Sequence, residues 1–236
     1  MTLLSVAGLR KRFGGLQAVQ DVGFDVGERE ILGLIGPNGA GKSTVMELIS
    51  GTQRPDAGSV RFRGQEIAGR PAHAISRLGV ARTFQKLRPF LGMTVLENVM
   101  VSALVHETRI PRAREVALEC IEFVGLGAKR DALSGTLSTG QRKRLELARV
   151  MAKRPPLYLL DEVMAGVDQR SIGGLVELVA RLRERGGSVL IIEHNMTVIR
   201  RLCDRLVALN LGRKIAEGTP GAVLSDPVVV SAYVGE

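Results

Sequence analysis

Short apolar runs alternate with longer amphipathic stretches along most of the chain. Residues 31–35, 157–160 and 188–192 are continuous apolar runs of strand length. Residues 112–124 and 168–185 instead carry their apolar side chains on one face of a helix. Fully apolar strands that are separated by such helices predict a parallel sheet covered by helices.

A second set of strands flanks this pattern. Residues 3–9 and 18–26 read as strands around the turn-rich Phe13-Gly14-Gly15, and residues 59–63 read as a hairpin strand. These runs predict a small antiparallel β region at the N-terminus. The remaining predicted elements are helices at 72–78, 94–104, 220–224 and 227–234, and strands at 80–84, 205–211 and 212–217.

Between about residue 86 and residue 140 the pattern is helical, and glycines punctuate its second half. We predict that this stretch is an α-helical insert in an α/β core. The core then comprises residues 1–85 and 142–236, and the helical subdomain comprises residues 86–141.

Composition narrows the class of protein. The 236 residues are 45% hydrophobic but only 3% aromatic, so the core must be built from aliphatic side chains. The longest uncharged run, Ile31 to Gly41, is far shorter than the ~20 apolar residues that span a bilayer. There is no signal segment, and Cys120 and Cys203 lie in apolar stretches where buried free thiols are expected. We therefore expect a cytoplasmic protein whose membrane association comes through partners.

The formal net charge of +9 suggests a nucleic-acid partner at first sight. The basic residues, however, form short clusters, at 10–12, 142–144 and 200–201, without an accompanying row of aromatic side chains. Solvated helix faces explain this pattern better than a nucleic-acid groove does, so we expect no nucleic-acid partner.

The most informative motif is the glycine-rich segment that follows the first apolar strand. Residues 36–44 fit the pattern G-x-x-x-x-G-K-[ST] between a strand and a helical run. Glycines let main-chain N–H groups surround phosphate oxygens, and the helix N-terminus adds partial positive charge. A nucleoside triphosphate site follows, with Lys42 at the β and γ phosphates and Ser43 on Mg²⁺. The predicted nucleotide-binding residues of this loop are Gly36, Pro37, Asn38, Gly39, Ala40, Gly41, Lys42, Ser43 and Thr44.

Polar side chains also stand at the carboxyl ends of other predicted strands. They are Gln85, Asp161, Glu162 and His194. Ligand groups of open α/β sheets gather at this edge, so we expect these side chains to converge on the glycine loop. Asp161 has the position of a Mg²⁺ ligand opposite Ser43, and Glu162 has the position of a group that polarises an attacking water.

An aromatic residue before the glycine loop and a basic helix start after residue 141 are two further candidate ligand contacts. Phe13, upstream of the glycine loop, either packs in the core or stacks on a purine ring. Residues 137–141 open a helix whose first turn is basic, at residues 142–144, and this opposes the helix dipole. Such a helix start is expected to meet an anion.

The order of these motifs resembles that of an ABC-transporter ATPase over essentially the whole chain. The matching residues are Phe13, GPNGAGKST at 36–44, Gln85, LSTGQ at 137–141, LLDE at 159–162 and His194. The resemblance implies an α/β fold with a P-loop NTPase core of the ABC ATPase type, an inserted α-helical subdomain and a small N-terminal antiparallel β region. It also implies ATP and Mg²⁺ as cofactors and ATP hydrolysis coupled to transmembrane transport.

The resemblance gives each motif a role. Phe13 is implied to stack on adenine, Gln85 to sense the γ-phosphate and a transmembrane partner, and Glu162 to be the catalytic base. The residues implied in catalysis are Lys42, Gln85, Glu162 and the switch histidine His194. The residues implied to hold Mg²⁺ are Ser43, Gln85 and Asp161. Further nucleotide-binding residues are implied in the signature motif, at Ser138, Gly140 and Gln141, and in the D-loop, at Asp168.

The signature motif of this family contacts the nucleotide of a second chain, so the resemblance implies a head-to-tail dimer around two ATP molecules. The second ATP-binding subunit is an identical or a related chain. The Ser138 loop and the basic helix start are implied to close on the partner's Lys42. Permease subunits, contacted through the helical insert, and indirectly a periplasmic or extracellular substrate-binding protein are further implied partners. The chain is then peripheral on the inner face of the membrane.

Within the family, several segments resemble ATP-binding subunits of branched-chain amino-acid importers. They lie at 82–85, 90–98 and 212–220. A urea or short-amide importer and an exporter or lipid-moving ATPase are the alternatives. A nucleic-acid-associated ABC protein resembles a tandem ATPase or carries a long coiled-coil insert, and neither fits 236 residues. Three departures from the family pattern are Thr139 in place of a glycine, Val163 in place of a proline, and a short segment at 103–112.

Overall fold

Two β-sheets with surrounding helices form the fold, in a computed structural model that describes residues 1–83 and 89–234. The strands are β1 (Thr2–Phe13), β2 (Leu16–Gly27), β3 (Ile31–Ile35), β4 (Ala57–Phe62), β5 (Gln65–Glu66), β6 (Val80–Arg82), β7 (Leu157–Asp161), β8 (Ser188–Ile192), β9 (Arg205–Asn210) and β10 (Arg213–Gly218). The helices are α1 (Lys42–Ser50), α2 (Ala72–Leu78), α3 (Val95–Ala103), α4 (Ile110–Phe123), α5 (Thr139–Met151), α6 (Gln169–Glu184), α7 (Met196–Leu202), α8 (Pro220–Ser225) and α9 (Pro227–Val234).

The larger sheet has the strand order β10-β9-β3-β8-β7-β6. Its pairings are parallel except for the β9–β10 hairpin. Every residue of β3, β7 and β8 is buried, because these strands are covered on both faces. The smaller sheet is antiparallel, in the order β2-β1-β4-β5. The predicted α/β class and the N-terminal antiparallel region are thus confirmed.

Alternate residues of the central strands face two separate cores. Leu32 and Leu34 pack on one side, with α1 and the inner face of the smaller sheet. Ile31 and Ile35 pack on the other side, with the helices from α3 onward. The period of two along a strand therefore places one face of the sheet in each core.

Helices α3 and α4 lie between β6 and β7 in the chain and pack against α5. A capping box between Thr94 and Glu97 starts α3. The fully buried amide of Asn98 donates to the carbonyls of Phe90, Met93 and Thr94 and so ties the preceding loop to this helix. Because α5 runs on to Met151, the boundary predicted after residue 141 falls inside a helix that the core and the insert share.

Some element ends differ from the prediction. Strands β1 and β2 extend beyond residues 3–9 and 18–26, because a two-residue turn with Gly14 at φ 57° lets pairing continue up to Phe13 and Leu16. Strand β6 ends at Arg82 within the described residues. Both cysteines are buried free thiols, as predicted. Among residues 1–83 and 89–234, no helix is long and apolar enough to cross a membrane.

Candidate nucleotide site

The glycine loop contains two glycines at which any side chain would collide with neighbouring main chain. Gly36 has φ 145°, and a Cβ atom there would collide with the main-chain oxygen of Leu209. Gly41 has φ 97°, and a Cβ atom would collide with the main-chain oxygen of Ala18. The loop is therefore pressed against β9 and against β2, which fixes its path.

Helix α1 begins directly after this loop. Its N-cap residue, Gly41, offers no side chain to the first turn. Lys42 is 6% exposed, and its Nζ donates to the carbonyls of Gly36 at 2.6 Å and Pro37 at 2.7 Å. The ammonium group thus lies inside the loop, next to a helix N-terminus, which is an arrangement suited to phosphate.

A cavity of about 550 Å³ opens beside the loop. Its lining includes residues 38–44 from the loop, Phe13 from the end of β1, Glu162 after β7, and His194 after β8. Phe13 is 41% exposed and contributes to no core. Of the two interpretations of Phe13, core packing is therefore wrong, and an aromatic face is offered to the cavity.

Asp161 is the last residue of β7 and is 2% exposed. Its Oδ2 accepts from Arg82 at 3.0 Å, and its N–H donates to the hydroxyl of Thr83 at 3.0 Å. Its Oδ1 is buried and has no hydrogen-bond partner among the described residues. A buried carboxylate oxygen without a protein donor fits a bound cation or a water that the cation holds.

Glu162 stands one residue further on, in an unusual backbone conformation. Its φ is 50°, in the left-handed region that non-glycine residues rarely adopt. Its N–H donates to the carbonyl of Ile192 at 3.0 Å, and its carbonyl accepts from Lys143 at 2.9 Å. Its side chain is 17% exposed, with Oε1 2.9 Å from Nε2 of His194. The predicted convergence of Glu162 and His194 is observed.

Glu193 supports the loop after β7, a role that sequence reasoning did not give it. Its carboxylate is buried, and Oε1 accepts from the N–H of Met164 at 2.9 Å. Burial raises the pKa of this carboxyl above its ordinary value. Its position directly after an apolar strand is the one signal in the sequence, and that signal does not distinguish a cavity residue from a buried one.

The signature residues and Asp168 do not line this cavity. Ser138 caps α5 in a capping box with Gln141, and Asp168 caps α6 through the N–H of Ser171 at 3.1 Å. Gly140 lies against Ser171, so the two helix starts adjoin. The chain thus brings Phe13, the glycine loop, Glu162 and His194 together and leaves Ser138, Gly140, Gln141 and Asp168 outside. Gln85 lies outside the described residues.

The basic first turn of α5 has partners within the chain. Arg142 donates to the carbonyl of Gly135 at 2.8 Å, and Arg144 donates to that of Val124 at 2.8 Å. Lys143 donates to the carbonyl of Glu162. Each of these side chains thus has a main-chain acceptor within its own chain, and the expectation that the helix start meets an anion stays a prediction.

A residue near the C-terminus also contacts the glycine loop. The hydroxyl of Tyr233 in α9 accepts from the N–H of Gly36 at 2.7 Å. Behind the loop, Ser231 and Ala232 help to line a cavity of about 320 Å³. No sequence pattern placed α9 there, because a lone tyrosine in a valine-rich helix carries no motif.

A glycine loop between a parallel strand and a helix, with a buried lysine and with acidic residues at the same sheet edge, defines a P-loop nucleotide-binding protein. Comparison with known sequences agrees. The sequence model of the ABC transporter family matches residues 19–165. That of the branched-chain amino acid ATP-binding cassette transporter family matches residues 213–236.

Relatives of known name match the chain along nearly its whole length. The high-affinity branched-chain amino acid transport ATP-binding protein BraF of Pseudomonas aeruginosa is 40% identical, over 99% of this chain and 98% of the relative. LivG of Escherichia coli, which bears the same description, is 39% identical over 99% of this chain and 98% of the relative. The lipopolysaccharide export system ATP-binding protein LptB of Haemophilus influenzae is 37% identical over 100% and 98%.

A crystal structure of an ATP-binding cassette of an ABC transporter, in its ADP conformation, superposes with a TM-score of 0.92. It is 33% identical, and the match covers 100% of both chains. The chain belongs to the ABC transporter family and is an ATP-binding ATPase of that family. The predicted resemblance to this family, and within it to the branched-chain amino-acid subgroup, is confirmed.

Proposed function

We propose that this protein hydrolyses ATP to drive the import of branched-chain amino acids through separate permease subunits. The observation that carries the enzymatic part is the cavity in which Phe13, the glycine loop, Glu162 and His194 meet. The relatives named for branched-chain amino acid transport, at 39–40% identity, support the substrate class.

In this proposal the site works by position and charge. The β and γ phosphates lie over the N-terminus of α1, where Lys42 exchanges its two carbonyl acceptors for phosphate oxygens. Adenine stacks on the exposed ring of Phe13. Glu162 takes a proton from the attacking water, and His194 holds the carboxylate through its contact with Nε2.

Mg²⁺ fits the residues present. Ser43 is exposed at the cavity, and Asp161 has a buried oxygen with no donor among the described residues. These are hard oxygen ligands of the kind that Mg²⁺ prefers, and the bound ion would neutralise charge on the phosphates. Gln85, the third predicted ligand, remains a prediction.

The chain is proposed to act as a dimer. Ser138, Gly140, Gln141 and Asp168 lie on adjoining helix starts outside the chain's own cavity. A head-to-tail second subunit, identical or related, would bring the same residues to the nucleotide from the other side. In this arrangement the signature residues contact the nucleotide bound by the other chain, which they do not reach in their own chain.

The permeases are proposed to dock between the core and the helical insert. A groove of about 510 Å³ there is lined by residues of α2, by Arg82 at the end of β6, and by Leu104 and Val105 after α3. Leu104 and Val105 are 44% and 45% exposed. Exposed aliphatic side chains beside basic ones suit a short amphipathic helix of a membrane subunit. A periplasmic or extracellular binding protein would act through that subunit.

Affinity purification from detergent-solubilised membranes, followed by reconstitution in proteoliposomes, tests the proposal. We expect permeases to be co-purified and ATP to drive uptake of labelled leucine, isoleucine and valine. The same vesicles with Glu162→Gln should bind ATP but neither hydrolyse it nor take up leucine. Uptake of labelled urea in place of leucine would identify the short-amide alternative, and an active Glu162→Gln protein would disprove the proposed base.

Lipid export is the second candidate. The 37% identity to LptB covers the whole chain, as the identity to BraF and LivG does. It predicts co-purification with a permease pair that has no binding protein and no amino-acid uptake. The purification above separates the two candidates directly, because it identifies the membrane subunits.

A further inference from the structure

Lys143 is enclosed by the protein although it lies in the first turns of α5. The residue is 4% exposed. Its Nζ donates to the main-chain oxygen of Glu162 at 2.9 Å, which is the one hydrogen bond its side chain makes with the residues described here. Removing an ammonium group from water is unfavourable unless it finds an acceptor. The contact with Glu162 is therefore a specific one.

Glu162 is held on both sides of its Cα atom. The peptide before it is fixed by the hydrogen bond from its N–H to the carbonyl of Ile192 at 3.0 Å. The peptide after it is fixed by Lys143. With φ at 50°, the residue occupies a conformation that persists only when its surroundings impose it. Together these contacts set the Cα–Cβ direction, and so they aim the carboxylate at His194 and the cavity.

Lys143 also connects Glu162 to the signature loop. Ser138 is the N-cap of α5, five residues before Lys143, and the stretch between them is continuous helix. The main-chain hydrogen bonds of this helix fix the position of Lys143 relative to Ser138. Any displacement of the signature loop therefore shifts the ammonium group and, through it, the carbonyl of Glu162.

We propose that Lys143 is a positioning residue that couples the signature helix to the hydrolytic glutamate. Glu162 faces the attacking water when α5 occupies the place that the second subunit's nucleotide gives it, and it turns away when α5 moves. The proposal rests on the proposed roles of Glu162 as the base and of Ser138 at the partner's nucleotide. It extends them by naming the link between the two.

Steady-state ATP hydrolysis by Lys143→Met tests the link. Methionine keeps most of the length of the side chain but removes the donor and the charge. We expect kcat to fall by about tenfold or more while the KM for ATP stays within about twofold, because a group that acts through the base affects turnover rather than binding. Lys143→Arg should restore much of kcat, since a guanidinium group can reach the same carbonyl.

Arg149→Met is the matched control. Arg149 carries the same charge and lies further along α5, where its guanidinium group lies 5.3 Å from the centre of the Phe90 ring. It should leave kcat within about twofold of the wild type. If Lys143→Met does not fold, as judged by urea unfolding, Lys143→Gln takes its place: kcat should fall while the KM for ATP stays within about twofold, and a folded Lys143→Gln protein with the wild-type kcat overturns the inference.

The two single variants Lys143→Met and Glu162→Gln separate this inference from the proposed function. A folded Lys143→Met protein with the wild-type kcat, or with a changed KM only, overturns the inference and leaves Glu162 as the base. Activity in Glu162→Gln would instead refute the proposed function.

Discussion

At the scale of single residues, two glycines of the loop differ in why a glycine is needed. Both need its backbone conformation, but only one of them also lacks space for a side chain. Gly36 and Gly39 both have positive φ, at 145° and 76°. A Cβ atom at Gly36 would collide with Leu209, whereas a Cβ atom at Gly39 would come within 4 Å of no residue other than its chain neighbours in the part of the chain that the structure describes. The same substitution thus tests both demands at Gly36 and only one at Gly39.

We expect Gly39→Ala to lower the free energy of unfolding by about 1–2 kcal/mol, which is the cost of a left-handed L-residue. Gly36→Ala should cost clearly more, because β9 or the loop must move, and it should also weaken ATP binding. Urea unfolding and titration with a fluorescent ATP analogue measure both effects. Equal losses at the two positions would show that the contact with Leu209 does not constrain the loop.

Glu193 predicts a pH dependence of stability. Burial raises the pKa of this carboxyl in the folded state above its ordinary value. The contribution of Glu193 to the free energy of unfolding is complete at a pH below its pKa in the unfolded chain. It is lost as pH rises through its pKa in the folded protein, because the folded state must then ionise a buried carboxyl group. Relative to Glu193→Gln, the wild type should therefore lose stability as pH rises from the ordinary carboxyl range through the raised pKa of Glu193.

Glu97→Gln is a control of opposite sign for this measurement. Hydrogen bonds from the main chain and side chain of Thr94 lower the pKa of Glu97. Its contribution is present above the unfolded pKa and is lost as pH falls through the folded pKa. Urea unfolding between about pH 3.5 and about pH 7.5 should thus give opposite slopes for the two variants. Parallel slopes would contradict the burial of Glu193.

At the scale of secondary-structure elements, α9 acts as a support for the phosphate loop. The buried N–H of Gly36 has the hydroxyl of Tyr233 as its acceptor. Tyr233→Phe should leave this N–H unsatisfied and lower the free energy of unfolding by about 1–3 kcal/mol. ATP affinity should fall as well, because the loop loses one of its contacts.

Tyr158→Phe provides the comparison for this prediction. Tyr158 is the other of the two tyrosines in the chain and is 7% exposed. Its hydroxyl makes no hydrogen bond with the residues that the structure describes, so its removal should change neither stability nor ATP affinity by a comparable amount. Calorimetric ATP titration and urea unfolding of both variants check the pair. Similar behaviour of the two would remove the role given to α9.

Elements whose periodicity is strong could be predicted from the sequence, and their long-range contacts could not. Helix α2 occupies residues 72–78, and strands β3 and β8 occupy residues 31–35 and 188–192, as their apolar patterns predict. The glycine loop could be predicted from its motif, and the meeting of Glu162 and His194 from the rule that ligand groups gather at the carboxyl edge of a parallel sheet. The contacts of Tyr233 with Gly36 and of Lys143 with Glu162 depend on how separate elements pack, and no local pattern records this.

At the scale of the whole molecule, the separation of Ser138 and Asp168 from the nucleotide cavity has a functional consequence. Consider a dimer in which each site is shared, with one chain changed at Glu162 and the other at Ser138. Both changes then fall in the same site of this mixed dimer. The other site of that dimer contains the intact parts of both chains. Mixing therefore distinguishes a shared site from a site within one chain.

We expect an equal mixture of Glu162→Gln and Ser138→Phe chains to hydrolyse ATP faster than either variant alone. About half of the dimers are mixed and each has one intact site, so independent sites give about a quarter of wild-type activity. Loss of the Ser138 cap costs only about 1 kcal/mol, so both chains should remain folded. Activity no higher than the average of the separate variants would mean that Ser138 does not serve the partner's nucleotide.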